Sequence, residues 1–586
     1  MQQQLRTPSL RAAAPGAAAA PRALPALLRP APCTLRRAPF TASPAPAPSS
    51  SAPSGAAARG PAPVQLMGMF SDPITARPPA NPDPSLINED FSPTTQDKRT
   101  FDTTDYATFW ITLVISITTY YLAASLVDLG MSWWQGILTV FFGNLITLLP
   151  MVLNAHPGTK YGVPFPVLAR ASFGIQGANL PSLSRAIVAC GWFGIQTWIG
   201  GSSIFQMLMA VTGGAVAAEP IAWLGISLPE LLCFLGFWAA QVWIVVRGME
   251  SIRILEKYSA PILIGLSLAL MWWAVTTAGG FGPMLSTPSQ FGVGMPKEGQ
   301  FWSVFWPAVT ANVGYWATLS LNIPDFTRYA KSQKDQVMGQ AIGLPLFMAL
   351  FTFLGLAVTS ATVVIYGEAI IDPVQLLGRM EGLVPICVSL FGLMWATLTT
   401  NIAANVVAPA NAFVNCAPKF ISFEAGGILT AVLGLLMCPW NLVSSTHGFV
   451  NTWLIGYSAL LGPVIGIVMS DYFIVRQRQL DIDSLYSKGQ QSIYWYKGGW
   501  NTAALWSILI GVLPTLPGFL STIGVVSGLP PIFGQLYDLA WFVGVAVSSV
   551  VYCLLMRGAP GAYQGGSDPS SNGATGGNSA PGGAAV

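Results

Sequence analysis

The residues best suited to bind something are aromatic and amide side chains embedded in apolar runs. In GWFGIQTWIGG (191–201), Trp192 and Gln196 stand four apart and share one helix face, while Trp198 points elsewhere. YWATLSLNI (315–323) adds Trp316 and Asn322, and TTNIAAN (399–405) pairs Asn401 with Asn405 at the same four-residue spacing. Aromatic faces with amides suit a flat, uncharged heterocycle: stacking supplies affinity, and each amide offers a donor and an acceptor to a ring amide or urea edge. A carboxylate or phosphate ligand would instead call for Arg or Lys nearby, and the closest in sequence is Arg185. Packing alone could account for Gly191, Gly194, Gly200 and Gly201 with a space-filling tryptophan, so the Trp192–Gln196 pair gains meaning only beside Trp316 and Asn405. The hydroxyls of Thr399 and Thr400 could hold a small hard cation through oxygen, or could bond to their own helix.

Other chemistries find little support. No HExxH, GxSxG or GxxxxGK[ST] occurs, which disfavours an intramembrane enzyme and an ATP-driven pump. The 7 cysteines and 2 histidines are scattered, giving neither a disulfide framework nor a metal-ligand pair. A net charge of +3 without an aromatic-interleaved basic cluster argues against nucleic acid.

These residues must be held by membrane helices. Only 9% of the chain is charged and 52% is hydrophobic, too little charge to coat a soluble fold. Roughly twelve apolar stretches of bilayer-spanning length can be drawn, near 104–127, 133–154, 181–212, 221–246, 258–277, 301–323, 338–366, 383–412, 421–438, 448–470, 499–521 and 533–556. Loops after even-numbered spans carry Lys160, Arg170, Arg247, Arg253, Lys257, Arg328, Lys331, Lys334, Lys419, Arg476, Arg478, Lys488 and Lys497. Loops after odd-numbered spans carry only Lys297 and Arg379. Both termini should therefore face the positive, cytosol-like or stromal side.

FWITLVISI (109–117) and YWATLSLNI (315–323) are faintly alike and sit in the first and sixth spans. A five-helix unit crosses an odd number of times, so its second copy is inverted, a plan that places binding sites at the repeat interface. Pro324 ends the second motif. The first has no Gly or Pro, so a break there needs Thr112, Ser116, Thr118 and Thr119 to satisfy freed backbone groups. Residues 1–71 contain Arg but no Asp or Glu and are rich in Ala, Pro and Ser, as an organellar transit peptide is; the alternative is a plain basic tail. The Pro and Ser content favours a plastid over a mitochondrion. A Gly/Ser/Ala-rich tail (557–586) closes the chain.

NEDFSP (88–93), YGVPFPVLARASFGIQG (161–177), GWFGIQTW, SLNIPDFTRYAK (320–331), TTNIAANVVAPA (399–410) and SDYFIVRQR (470–478) resemble the nucleobase:cation symporter family of uracil, purine-base, allantoin and hydantoin permeases. The resemblance runs from Asn88 to Met556. It implies an all-α, LeuT-like fold: inverted repeats over 104–277 and 301–470, two further helices over 499–556, and a leading segment over 72–103. By motif position it implies stacking by Trp192 and Trp316 and hydrogen bonding by Gln196 and Asn405. It places a cation on the carbonyls of Thr112, Ile115 and Ala396 and the hydroxyls of Thr399 and Thr400, and leaves Trp110 unassigned. Ser116 stands where the bacterial hydantoin carrier pattern has Gln, which should change pocket width. With the leader, the likeness points to the plant and green-algal plastid branch, with uracil, adenine and guanine as substrates.

The leading expectation is a secondary nucleobase transporter in the chloroplast inner envelope, with the plasma membrane or mitochondrial inner membrane as alternatives. It needs no cofactor beyond a co-transported H+ or Na+. Asp325 is the candidate titrating group, and a helix-end contact with Arg328 is its plainer role. An allantoin- or hydantoin-type permease, an uncoupled facilitator and a transport-like sensor are the alternatives in function.

Overall fold

A computed structural model describes Gly68 and residues 72–88, 91–247, 264–416 and 420–557 of the chain. The rest of the 1–71 leader, Glu89 and Asp90, the loop residues Arg253, Lys257 and Lys419, and the tail from Gly558 lie outside the described residues. Among the described residues the regular structure is helical.

The first span begins at a capping box. The Asp102 side chain accepts from the amides of Thr104 and Asp105, and Asp105 reaches back to the Asp102 amide. Helix α1 (Thr103–Val114) then stops, and α2 (Ile117–Asp128) leaves at 62° to it. Thus the first span is broken without Gly or Pro. Ser116 supplies the new N-cap, accepting from the Thr119 amide. Of the four side chains expected to help, Ser116 takes a backbone amide, whereas Thr112 bonds its own Thr108 carbonyl at 3.0 Å.

Beyond α3 (Trp133–Tyr161), the short α4 (Phe165–Phe173) leads into α5 (Asn179–Thr212) and α6 (Leu228–Val246). Apolar α7 (Ile264–Thr277) and the single turn α8 (Phe281–Met284) complete the first half. The sixth span is interrupted as well: α9 (Phe301–Tyr315) ends before Trp316, and α10 (Ala317–Asn322) and α11 (Pro324–Thr327) follow. Next come α12 (Gln333–Tyr366), the loop helix α13 (Pro373–Gly378), α14 (Leu383–Asn405), α15 (Val407–Cys416) and α16 (Phe423–Leu436). Then α17 (Pro439–Val443) leads through π-helical turns (His447–Leu454) into α18 (Ile455–Ser470). After the loop helix α19 (Ile482–Leu485), α20 (Thr502–Val512), α21 (Leu516–Thr522), α22 (Pro531–Asp538) and α23 (Ala540–Leu555) end the fold.

Every predicted apolar stretch contains helix, but not every one is a straight crossing. Among the described residues, 5 helices are long and apolar enough to cross a membrane, or 8 when each bent pair counts once. The last stretch turns by 86° between α22 and α23, and α20–α21 by 47°. The internal likeness also slips in register. The first break falls at Ile115–Ser116, late in FWITLVISI, and the second at Trp316, the second position of YWATLSLNI.

The helices pack in two groups. In one, α1, α2 and α3 lie against α12, with α9, α10 and α11 on α3; in the other, α5 gathers α6, α14, α15 and α16. Gly194 serves this second assembly, since a Cβ there would collide with the Gly434 backbone of α16, while Gly191 makes room for the Trp453 ring from the π-helical turns. Several of the cationic loop residues gather together. Lys160 and Arg478 meet Asp72, Lys331 meets Asp102, and Arg170 donates to Leu485 O, all at one end. Arg379 pairs with Glu368 on the loop between α12 and α14, after an odd-numbered span.

Candidate functional site

Tyr315, the last residue of α9, joins the two interrupted spans. Its hydroxyl lies 2.7 Å from Thr118 Oγ1, 3.0 Å from Thr119 Oγ1 and 3.3 Å from Ser116 Oγ, all beside the first break. Its ring stands edge-on to Trp192 at 5.5 Å and to Trp316 at 4.9 Å. The two tryptophans predicted to stack on a ligand, one from each helix group, therefore share a neighbour. Trp110 is edge-on to Trp316 at 5.2 Å and works as part of its support. Trp198 packs instead with Phe234 and Trp440, away from Trp192, as its helical phase requires.

The amides divide by role. Gln196 is buried, and its Oε1 has no hydrogen-bond partner, an expensive condition for an amide in an apolar wall. Asn401 is spent on structure: its Nδ2 donates to Phe193 O, Thr197 Oγ1 and Gln241 Oε1, pinning α14 to α5 and α6. Asn405 donates to Asn401 Oδ1 at 3.0 Å. Its position is thereby fixed by Asn401. Asn322, on α10, has an unpartnered Oδ1 of its own and donates towards Asp325 at 3.4 Å.

The predicted cation ligands fall in two sets. At the first break the Ser116 amide donates to Val114 O at 2.8 Å, and the Thr119 amide turns to Ser116 Oγ. The carbonyls of Thr112 and Ile115 thus lose the helical donors four residues on. On α14, Thr399 Oγ1 donates to Ala396 O at 2.9 Å, which places both adjacent; Thr400 lies one residue further along the helix. Between the break and α14 lies an apolar cavity lined by Ser116, Ile117, Leu270, Leu377, Ser389 and Leu393.

A wide vestibule of ≈ 440 Å³ opens at the end with the fewer cationic loops, between α2, α5 and the loop carrying α13. Tyr121 and Phe449 line it, 6.0 Å apart, and Phe449 meets Trp192 at 6.1 Å. One aromatic layer separates the vestibule from the tryptophan pair. Burial holds the Asp372 carboxyl, at the start of α13, above the usual carboxylate range, against hydrogen bonds from Tyr121 and the Val374 amide.

Residues 93–544 match the family described as permeases for cytosine/purines, uracil, thiamine and allantoin. The chain belongs to this family. It is 52% identical to the purine-uracil permease NCS1 of Arabidopsis thaliana over 81% of this chain and 78% of that protein. It is 41% identical to the allantoin permease of Bacillus subtilis, over 81% of this chain and 94% of that one. Among solved structures, Mhp1 in an inward-facing conformation superposes with TM-score 0.66 at 24% identity, over 82% of this chain and 95% of Mhp1, which shows the LeuT-like transporter fold.

Within this permease fold, Asp325 sits in the first turn of α11, whose C-cap is Arg328. Its Oδ1 accepts from the Phe165 amide at 2.7 Å, while Arg328 donates to the Tyr329 hydroxyl at 2.8 Å. Sequence reasoning missed Tyr315, Asn154 and the Asn401–Gln241–Thr197 cluster. The one available signal was that Tyr315 directly precedes Trp316 in a motif already singled out.

Proposed function

We propose that this permease carries nucleobases, with uracil, adenine and guanine as the substrate class, by alternating access about the Trp192–Trp316 site. The observation that carries this reading is the unpartnered Gln196 Oε1 one turn from Trp192, on a wall whose other aromatics, Tyr315 and Trp316, are already in place. A flat ring between tryptophan faces would bring an N–H to that oxygen, and its own carbonyl to an amide N–H. Asn405, held by Asn401, supplies the second amide. The relatives carry purine-uracil and allantoin in their names, which supports the same substrate chemistry. Allantoin, a ring urea, is the second reading, favoured by the long match to the Bacillus subtilis protein.

Coupling is to Na+ at the open Thr112 and Ile115 carbonyls with Ala396, Thr399 and Thr400, or to H+ at Asp325. The acid-free leader supports a place in the plastid inner envelope. The decisive experiment is uptake of labelled uracil into proteoliposomes, competed by adenine, guanine, cytosine, allantoin and hydantoin. Gln196→Ala and Asn405→Ala should each abolish uptake or reorder the competitors, while Trp192→Phe, which keeps a stacking face, weakens it only in part. Unchanged uptake and selectivity in both amide variants would overturn the site.

A further inference from the structure

Arg185 is the charge that the substrate site leaves unexplained. It is only 6% exposed, and neither Nε nor Nη1 has a hydrogen-bond partner. A guanidinium desolvated this far, with donors unused, is costly unless another state of the molecule supplies acceptors.

Its position says where they are. Arg185 precedes Trp192 by seven residues, two helical turns along the same face of α5. Tyr315 meets Trp192, and seven residues beyond Tyr315 lies Asn322, with Asp325 one turn further. The two sides of this ladder run in opposite directions, so Arg185 faces the stretch from Asn322 to Asp325. There the Asn322 Oδ1 is an unused acceptor, and Asp325 is partly buried with Phe165 N and Asn322 Nδ2 on its oxygens. The charges of Arg185 and Asp325 act on each other, yet no ion pair joins them. Arg328 is the other charge that Asp325 feels, and it shares the α11 end of the span.

Arg185 rides on α5, in one helix group, and Asp325 on α11, in the other. We infer that Arg185 closes onto Asp325 and Asn322 Oδ1 during the transport cycle, as a latch across the two helix groups on the positively charged side of the substrate site. The inference rests on the alternating-access reading above and adds to it a positioning residue that touches no substrate. With the latch formed, the guanidinium gains the acceptors it now lacks, and the path from Trp192 towards that side is shut. When the groups separate, it reverts to its present unpaired arrangement. A carrier without the latch should still bind and exchange substrate but leak, so it cannot hold a gradient.

The test uses the full chain in proteoliposomes, with labelled uracil, comparing gradient-driven accumulation, one-for-one exchange and equilibrium binding. Arg185→Gln should lower accumulation about tenfold, under a sodium gradient and a proton gradient alike, while exchange and Kd stay within about threefold of the parent; Asp325→Asn, which also touches coupling, should lower accumulation at least as far. The double variant should be no worse than the poorer single, since both remove one interaction. Arg185→Lys, which keeps the charge, should retain most accumulation and covers the case in which Arg185→Gln does not fold. Accumulation at the parent level in Asp325→Asn, multiplicative losses in the double variant, or loss of exchange alongside accumulation would each overturn the latch. Failure of the parent protein to move any nucleobase would instead defeat the proposed function.

Discussion

The first and sixth spans both break beside the tryptophan site, yet the two breaks are finished differently. The sixth is sealed. Asn154 Nδ2 donates to the carbonyls of Ser320 and Leu321, each at 2.7 Å, and the Tyr457 hydroxyl donates to Gly314 O at 2.7 Å. At the first, the Thr119 and Ser116 amides are answered by Ser116 Oγ and Val114 O, but the Thr112 and Ile115 carbonyls are left without helical donors. A sealed break can only present side chains, which here means Trp316. An open one presents oxygen, which is what a bare cation needs in place of its hydration shell. The same device, an interrupted helix, thus serves as substrate wall in one repeat and as a candidate ion site in the other.

The sharpest way to break this contrast is to unseal the sixth span. Asn154→Ala leaves two buried carbonyls unpaired, at about 1–3 kcal/mol each. Thermal unfolding in detergent should show a fall larger than Thr399→Ala, Tyr315→Phe or Thr112→Val produces. A melting temperature within a degree or so of the parent would mean that water or neighbouring groups satisfy those oxygens, and that the sixth break is as open as the first.

Next in size is the response to sodium. An ion bound to the folded state at about a hundred times its Kd stabilises by roughly 2.7 kcal/mol. Melting in NaCl should therefore exceed melting in KCl at equal ionic strength, and Thr399→Ala should erase most of the difference. A flat response in the parent would leave the open carbonyls without an ion and move coupling to protons at Asp325.

Tyr315 ties the two breaks together, so its hydroxyl tests whether they act as one unit. Tyr315→Phe keeps both ring contacts and removes the group around which Ser116, Thr118 and Thr119 converge. The loss should be about 1 kcal/mol, since those three hydroxyls can still bond among themselves. Ser116 and Thr119 are already 2.9 Å apart. Sodium-dependent melting should weaken with it; an unchanged sodium response would separate the two breaks energetically.

How much of this was legible in the chain follows from the range of each interaction. Helix-forming stretches, loop charges and the Trp192–Gln196 face follow from residues within a few turns of one another, and they were readable. The break in the first span was not, because no Gly or Pro marks it. What stabilises it includes a tyrosine hydroxyl from Tyr315, on another span. Asn401 looked like a ligand and proved to be a clamp because its acceptors, Phe193 O and Gln241 Oε1, lie on other helices. The nine-residue likeness between spans one and six matched residue types while the breaks themselves fall out of register, so it marked the right spans for the wrong reason.

The smallest expected effect is the one that isolates backbone from side chain. Thr112 is exposed, and its hydroxyl bonds only to Thr108 O at 3.0 Å within α1. Its part in the cation reading belongs to the carbonyl, which substitution does not remove. Thr112→Val should therefore leave stability within about 0.5 kcal/mol, as for surface changes generally, and leave the sodium-dependent shift in melting intact. A lost shift would show that the hydroxyl, not the freed carbonyl, meets the ion. The open break would then be no different in kind from the sealed one, presenting side chains alone.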